Sequence, residues 1–297
     1  MNDYHKSVLL QEAVDGLNVR KGKKYIDATL GGGGHSLAII KHGGIVLGLD
    51  ADQEAIEFVQ KNYEARIKNH ELKVARGNFA DIDKLAKDAG FEKVAGILFD
   101  LGVSSHQLDT AERGFSYLKS GPLDMRMDQR LGVKAKDLIN ALGKKELYDL
   151  FRELGGEHHA HDISERIVNR RKLKPFETTD ELVEVLADSY GFSDVSDFAK
   201  ATSSKKVFQS LRIAVNDELD VLKEVLPKAL YLLEKNGRMA VITFHSLEDR
   251  IVKQAFVRFE NQGDGKVITK KPILPTREDI KANSRSKGAK LRVLEKN

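Results

Sequence analysis

Apolar residues recur along this chain with two alternating rhythms. Leu10, Ala13, Val14 and Leu17 fall three and four apart, the spacing of one helix face. Short apolar runs follow at about 24–28, 44–50 and 72–76, and each reads as a buried strand. Helical stretches near 35–42 and 52–69 separate them, a further helix includes Leu85 and Ala86, and 94–101 is another apolar run. Strands alternating with helices predict an α/β fold, a parallel sheet covered on both faces. Ligands of such sheets bind beyond the carboxyl ends of the strands.

From 106 to about 205 the pattern is helical, without strands. Leu147, Leu150, Phe151 and Leu154 share one face, and Thr178-x-x-Glu181 is a capping box at the head of an apolar-periodic helix. Residues 208–233 read as helical, with an interruption expected at Pro227, which cannot donate to the helix ladder. A strand at 238–244, a helix at 247–260 and a hairpin pair at 266–274 and 289–295 complete the chain. The predicted organisation is therefore a sheet domain made of 1–105 and 206–297, with a helical domain, 106–205, inserted in it.

The chemistry concentrates where the first strand ends. Asp27 closes that strand, and four glycines, Gly31 to Gly34, follow it before a helix opens at His35 or Ser36. Lacking Cβ atoms, glycines reach positive φ and let the backbone approach a ligand closely. The second strand ends on Asp50, where a carboxylate commonly binds ribose hydroxyls of an adenosine-containing cofactor. Asn78, Phe79 and Asp100 follow or close the next strands, so one crevice is expected to collect them, with Phe79 against an adenine face. Two cofactors fit. A dinucleotide fingerprint wants a third glycine, and position 36 is Ser. S-adenosylmethionine has no phosphate to hold and carries an ammonium for which Asp27 is a candidate partner, so it is the favoured reading.

Composition narrows the class. The chain has 297 residues, 41% hydrophobic and 32% charged, in the range of ordinary globular proteins. No apolar run reaches membrane-spanning length, and the N-terminal residues lack a signal-peptide core, so a cytoplasmic protein is expected. The absence of cysteine excludes disulfides, thiolate metal sites and a Cys nucleophile. Net charge is only +4, but residues 253–297 hold twelve Lys or Arg against five Asp or Glu, a tail suited to phosphate contacts or to plain solvation.

Longer strings carry a resemblance. His-Lys-Ser-Val-Leu-Leu-Gln-Glu (5–12), Ile-Asp-Ala-Thr-Leu-Gly-Gly-Gly-Gly-His-Ser (26–36) and Asp-Leu-Gly-Val-Ser-Ser-His-Gln-Leu-Asp (100–109) are joined by 112–128, 208–219 and Thr-Phe-His-Ser-Leu-Glu-Asp-Arg-Ile-Val-Lys (243–253). Together they resemble the bacterial small-subunit ribosomal RNA cytosine-N4 methyltransferases, over about residues 5–258 with a weaker echo at 289–295. The resemblance implies a Rossmann-like S-adenosylmethionine-dependent methyltransferase sheet with an inserted helical domain for substrate recognition. It also implies a substrate in the decoding region of 16S ribosomal RNA within the small subunit. By the same resemblance Gly33, Gly34, His35, Asp50, Phe79, Asp100 and Gln107 match cofactor-binding positions.

The implied reaction asks for positioning. A cytosine amine is a poor nucleophile because its lone pair is delocalised into the ring. Acceptors on its N–H groups localise that pair, and the methyl group must lie in line with it. Asp100 and its neighbours are nominated as acceptors, and His245, at a strand end, as a second catalytic candidate. Ser246 and Asp249 read as a helix cap. Arg113, Phe115 and Arg126, interleaved with Tyr117 and Met127, suit a flipped base and its phosphates, or a packed loop. Asn216 and Glu218, polar positions in an otherwise amphipathic helix, are read as facing either the site or, the favoured alternative, solvent. Several positions depart from the family pattern: His106 stands in place of a usual Pro, and 158–162 (His-His-Ala-His-Asp) is unusual. His158 and His161 share a helix face, but a solvated helix start explains them and no metal is expected. A non-catalytic assembly factor and a dinucleotide oxidoreductase are the competing functions; intact glycines and Asp100 argue against the first, Ser36 against the second.

Overall fold

The computed structural model describes residues 7–192, 194 and 204–297. The first two residues of the 5–12 string and positions 195–203 of the predicted helical insert lie outside them. In chain order the elements are α1 (Leu10–Leu17), β1 (Lys24–Asp27), α2 (Gly34–Lys41), β2 (Ile45–Asp50), α3 (Gln53–Asn62), α4 (Glu64–Lys68), β3 (Leu72–Arg76), α5 (Ile82–Ala89) and β4 (Val94–Asp100). Then come α6 (Ser105–Asp109), α7 (Ala135–Ala141), α8 (Lys144–Gly155), α9 (Ala160–Arg171), α10 (Thr179–Ser189), α11 (Ser204–Asn216) and α12 (Glu218–Leu232). β5 (Leu233–Thr243), α13 (Ser246–Asn261), β6 (Gly265–Val267), α14 (Arg277–Ala282) and β7 (Lys290–Lys296) close the list.

Two compact units result: residues 1–104 with 219–297, and residues 105–218. The second boundary lies thirteen residues beyond the expected 205/206, because α11 packs on α8 and so belongs with the helices.

The first unit is built on a seven-stranded sheet of order β3-β2-β1-β4-β5-β7-β6. β1 to β5 pair in parallel, and β7 runs antiparallel between β5 and β6. This is the expected Rossmann-like α/β sheet. Strand alternation sends Tyr25, Val46 and Leu98 to one face, with Leu17 of α1 and Ile39 of α2. Ile26, Leu47, Ile97 and Phe99 go to the other, with Leu226 of α12 and Phe256 of α13. Both faces are dry, which is why these strands read as unbroken apolar runs. The chain order reverses at β1, whose neighbours are β2 and β4, so the crevice beyond β1 and β4 is the topological switch point.

The second unit is helical. Phe151 of α8, Ile163 and Ile167 of α9, Leu182 of α10 and Leu211 of α11 are fully buried. The capping box at α10 forms as read, Thr178 accepting from the Glu181 N–H.

Two expectations needed correction. The 52–69 helix is broken at Tyr63, whose φ of −123° leaves the helical region. The interruption expected at Pro227 lies instead at Asp217, which adopts φ 50°, and Pro227 is accommodated inside α12. The strand expected at 289–295 forms as β7. Leu291, Val293 and Leu294 of β7 are buried in the sheet, and Lys290 and Arg292 pair with Asp249 at 3.1 and 2.6 Å. Among the described residues no helix is long and apolar enough to cross a membrane.

Because β7 completes the sheet, Leu294→Ala should destabilise the protein by about 2–5 kcal/mol, the range for emptying a buried leucine site. Denaturant unfolding followed by circular dichroism reads this directly. A midpoint unchanged from the parent would mean that β7 contributes nothing to the core.

Candidate functional site

At the carboxyl end of β1 the chain turns away from the sheet through Ala28, Thr29 and Leu30 into the glycine run. Hydrogen bonds from Ala28 N–H to the Leu98 carbonyl and from Leu30 N–H to the Leu49 carbonyl, at 2.9 and 2.8 Å, extend the ladder past the strand. Gly33 then takes φ 77° and starts α2. A side chain on Gly34 would collide with the Ser7 hydroxyl, and Gly33 faces the Tyr63 ring, so the loop is packed tightly from outside. The Tyr63 hydroxyl donates to the Gly32 carbonyl at 3.2 Å, which accounts for the break between α3 and α4.

Asp27 fastens the loop from beneath. It is 1% exposed; its Oδ2 accepts the Ser36 hydroxyl at 2.7 Å and its Oδ1 accepts the Thr29 N–H at 3.3 Å. Strand end, turn and helix start thus share one buried carboxyl. Burial pushes that carboxyl above the usual range, while His35 and the Ser36 hydroxyl pull the other way. Asp27 was read as an open partner for a ligand ammonium; it lies instead under the loop, with both oxygens bonded.

Asp50 holds the opposite lip. Its Oδ2 accepts the Gly31 N–H at 2.8 Å and its Oδ1 accepts the Asp52 N–H at 2.9 Å. Burial of the carboxyl outweighs these bonds and pushes it up to about 6. Asp100, at the end of β4, donates its backbone N–H to Thr29 Oγ1 at 2.6 Å. Its carboxylate lies 3.6 Å from His35 Nδ1, and His35 Nε2 lies 3.2 Å from the Val8 carbonyl. Phe79 follows β3 and rests edge-on against Phe99, its ring half-buried. Asn78 caps that turn through the Ala80 N–H.

Asp27, Gly33, Gly34, His35, Asp50, Phe79 and Asp100 therefore all lie at the carboxyl edge of β1 to β4. Gln107 belongs to the helical unit, where it is buried on α6. Thr29, Ser36, Tyr63 and Ser7 were missed. Ser36 had been noticed only as an absent glycine, though a hydroxyl two residues into the helix and nine after a strand-end Asp was a readable signal.

His245 has another task. It is the N-cap of α13: Nδ1 accepts the Glu248 N–H at a long 3.5 Å, and Nε2 lies 3.1 Å from Glu248 Oε1. Glu248 in turn accepts the Phe244 and His245 N–H groups. Both imidazole nitrogens lie beside Glu248, so capping is the role these contacts show for His245. The cap expected at Ser246 and Asp249 is displaced by one residue, and Asp249 is spent on Lys290 and Arg292.

The three substrate candidates of the helical unit are also committed. Arg113 is 4% exposed and donates to the Arg126 and Met127 carbonyls, its guanidinium 5.9 Å over the buried Phe115 ring. Arg126 forks onto Asp124 at 2.7 and 2.8 Å and donates to the Gln129 and Leu131 carbonyls. These side chains shape the 111–131 loop rather than offer open charge. Asn216, read as solvent-facing, braces the same loop: its amide bonds the Met125 carbonyl and the Met127 N–H. Glu218 forks with Arg212 at 2.8 Å. His158 Nδ1 lies 3.1 Å from Arg152, and among the described residues no metal-ligating cluster includes His158 or His161.

The MraW methylase family model matches residues 2–297. The chain belongs to that family. It is 44% identical to ribosomal RNA small subunit methyltransferase H of Lachnospira eligens, covering 98% of this chain and 97% of that protein. The protein of the same name from Brevibacillus brevis is 43% identical over 99% and 98% of the two chains. The one from Clostridioides difficile is 40% identical over the whole of both. An MraW methylase is thus an enzyme of methyl transfer, and the resemblance read from the strings holds at full length.

Asp50 yields a pH-dependent expectation. Its carboxyl is raised to about 6 without ligand, so near pH 6 about half of the molecules carry a proton there. A ligand whose hydroxyls donate to the carboxylate favours the ionised form, so binding releases that proton. Affinity for S-adenosylmethionine should climb with pH up to about 6 and flatten above it. Calorimetry at pH 6 in buffers of different ionisation enthalpy should detect the release. Asp50→Asn should suppress it and weaken binding about ten- to a hundredfold. Unchanged affinity in the folded variant would remove Asp50 from the site.

Proposed function

We propose that this MraW methylase uses S-adenosylmethionine to methylate N4 of a cytidine in the decoding region of 16S ribosomal RNA, within the small subunit. The observation that carries the cofactor reading is the convergence of the glycine turn, Asp50 and Asp100 at the switch point of a parallel sheet. The names of the relatives support the ribosomal substrate, and the decoding-region cytidine rests on the strings read from the sequence. The cytoplasmic location follows from that substrate.

The residues present fit the cofactor. Asp50 offers a half-buried carboxylate for the ribose hydroxyls, Phe79 a flat apolar surface for adenine, and the glycine loop a backbone that a ligand can approach closely. Asp100 places a carboxylate beside the loop, which suits the ammonium and the sulfonium, while Asp27 holds the loop from beneath. The cofactor supplies an electrophilic methyl group. The protein holds the amine in line with it, and Asp100, fixed through Thr29 and facing His35, is the acceptor proposed for an N4 hydrogen. Gln107 and the loop organised by Arg113, Phe115 and Arg126 are assigned to the helical unit's part in cofactor and RNA binding, with the arginines shaping the loop.

Chemistry separates the alternatives. A dinucleotide would want glycine at 36, whereas the Ser36 hydroxyl is bonded to Asp27. Methylation at cytosine C5 needs a covalent nucleophile, normally Cys, and the chain has none. N4 of a stacked, paired cytosine cannot reach an enclosed methyl donor, so the base must be unpaired or extruded.

Incubation with labelled S-adenosylmethionine and unmethylated small subunits, followed by nucleoside mass spectrometry, should yield N4-methylcytidine and no 5-methylcytidine. Label on carbon 5, on a ribose oxygen or on adenine would refute the reaction. Absence of transfer with intact cofactor binding would favour an assembly factor.

A further inference from the structure

Lys290 and Arg292 of the basic last segment are tied to Asp249, whereas Lys253 and Arg258 stand exposed on α13 beside Arg250. We infer that the outward face of α13 is a phosphate-binding surface for the RNA, anchoring the substrate from outside the crevice; this rests on the RNA reading above. Arg250, Lys253, Gln254, Arg258, Asn261 and Gln262 line one open groove along that helix. Their spacings of three and four keep them on one face, which runs about 12 Å from Arg250 to Arg258 at the helical rise of about 1.5 Å per residue.

Three features distinguish this face from an ordinary solvated one. First, its cations are not neutralised: among the described residues Arg250 and Lys253 form no ion pair, and Arg258 lies over its neighbour's ring, 5.4 Å from the Phe259 centroid. Second, every carboxylate of α13 is turned to another task. Glu248 closes the helix cap, Asp249 takes Arg292 and Lys290, and Glu260 accepts the Val267 N–H at 2.9 Å. Third, the face also carries the neutral amides Gln254, Asn261 and Gln262, able to donate to phosphate or ribose oxygens, with Val257 as the apolar side chain in the groove. Cations without acids, interspersed with amide donors, complement a polyanionic backbone and carry no base-reading geometry. Position adds to chemistry: α13 leaves the carboxyl end of β5, where Ile242 pairs with Asp100. Arg250 stands about one turn into the helix that leaves this strand end.

The test is the triple variant R250E/K253E/R258E, with K21E/K41E/K61E as a control of equal charge change on other exposed lysines. Circular dichroism and S-adenosylmethionine calorimetry should match the parent for both. Binding to unmethylated small subunits, measured across a salt series, should weaken by at least about tenfold in the first variant, with the slope of log affinity against log salt reduced by about two to three. The control should lose much less. A full-length parent that methylates subunits, beside an R250E/K253E/R258E variant of unchanged affinity and slope, overturns the surface and leaves the methyltransfer reading standing. Equal losses in both triple variants also overturn it, because they report net charge alone. A parent that binds no RNA but binds anionic lipid vesicles overturns the surface and the RNA reading together.

Discussion

The buried carboxyl of Asp27 is the constraint on which the site is built. It receives the Ser36 hydroxyl from the first turn of α2 and the Thr29 N–H from the turn after β1. A strand end, a glycine turn and a helix start are thereby fixed by one group. Thr29 passes that order to β4 by accepting the Asp100 N–H, and Gly31 passes it to β2 by donating to Asp50. Glycines are conformationally expensive to order, and four in succession would not hold one path unaided. Asp27 inside and Tyr63 with Ser7 outside supply the restraint.

A division of labour among the carboxylates follows. Asp27 is structural, Asp50 is a lip group poised near pH 6, and Asp100 is held by its backbone while its side chain faces His35. Each sits where a strand of the parallel sheet ends, so the fold delivers all three to one edge. The same economy recurs around α13. Glu248 and His245 cap the helix, Asp249 ties it to β7, and the groove along the helix is lined by cations and neutral side chains without acids.

The α/β sheet and most of its elements were legible because both sheet faces are buried, which makes strands apolar runs, and because the helices are amphipathic. The placement of Asp27, Asp50, Asp100 and Phe79 followed from reading strand ends. What stayed hidden depended on partners distant in sequence. Tyr63 breaks a helix for the sake of Gly32, thirty-one residues away, and Asn216 braces a loop near Met127, eighty-nine away. Composition cannot tell an Arg126 satisfied by Asp124 and two carbonyls from one open to phosphate. The strand at 289–295 was legible from its apolar positions, but its place between β5 and β6, and the pairing of Lys290 and Arg292 with Asp249, depended on partners distant in sequence.

The account's central claim is that a ligand at the edge of β1 to β4 engages the glycine turn and the Asp50 lip. Hydrogen–deuterium exchange with and without S-adenosylmethionine tests it most directly. Cofactor should slow exchange in peptides covering Gly31–His35, Asp50–Asp52 and Asn78–Ala80, since those amides lie on or beside the groups assigned to bind it. Unchanged exchange at all three while the cofactor is bound, with protection appearing elsewhere, would contradict the placement of the site.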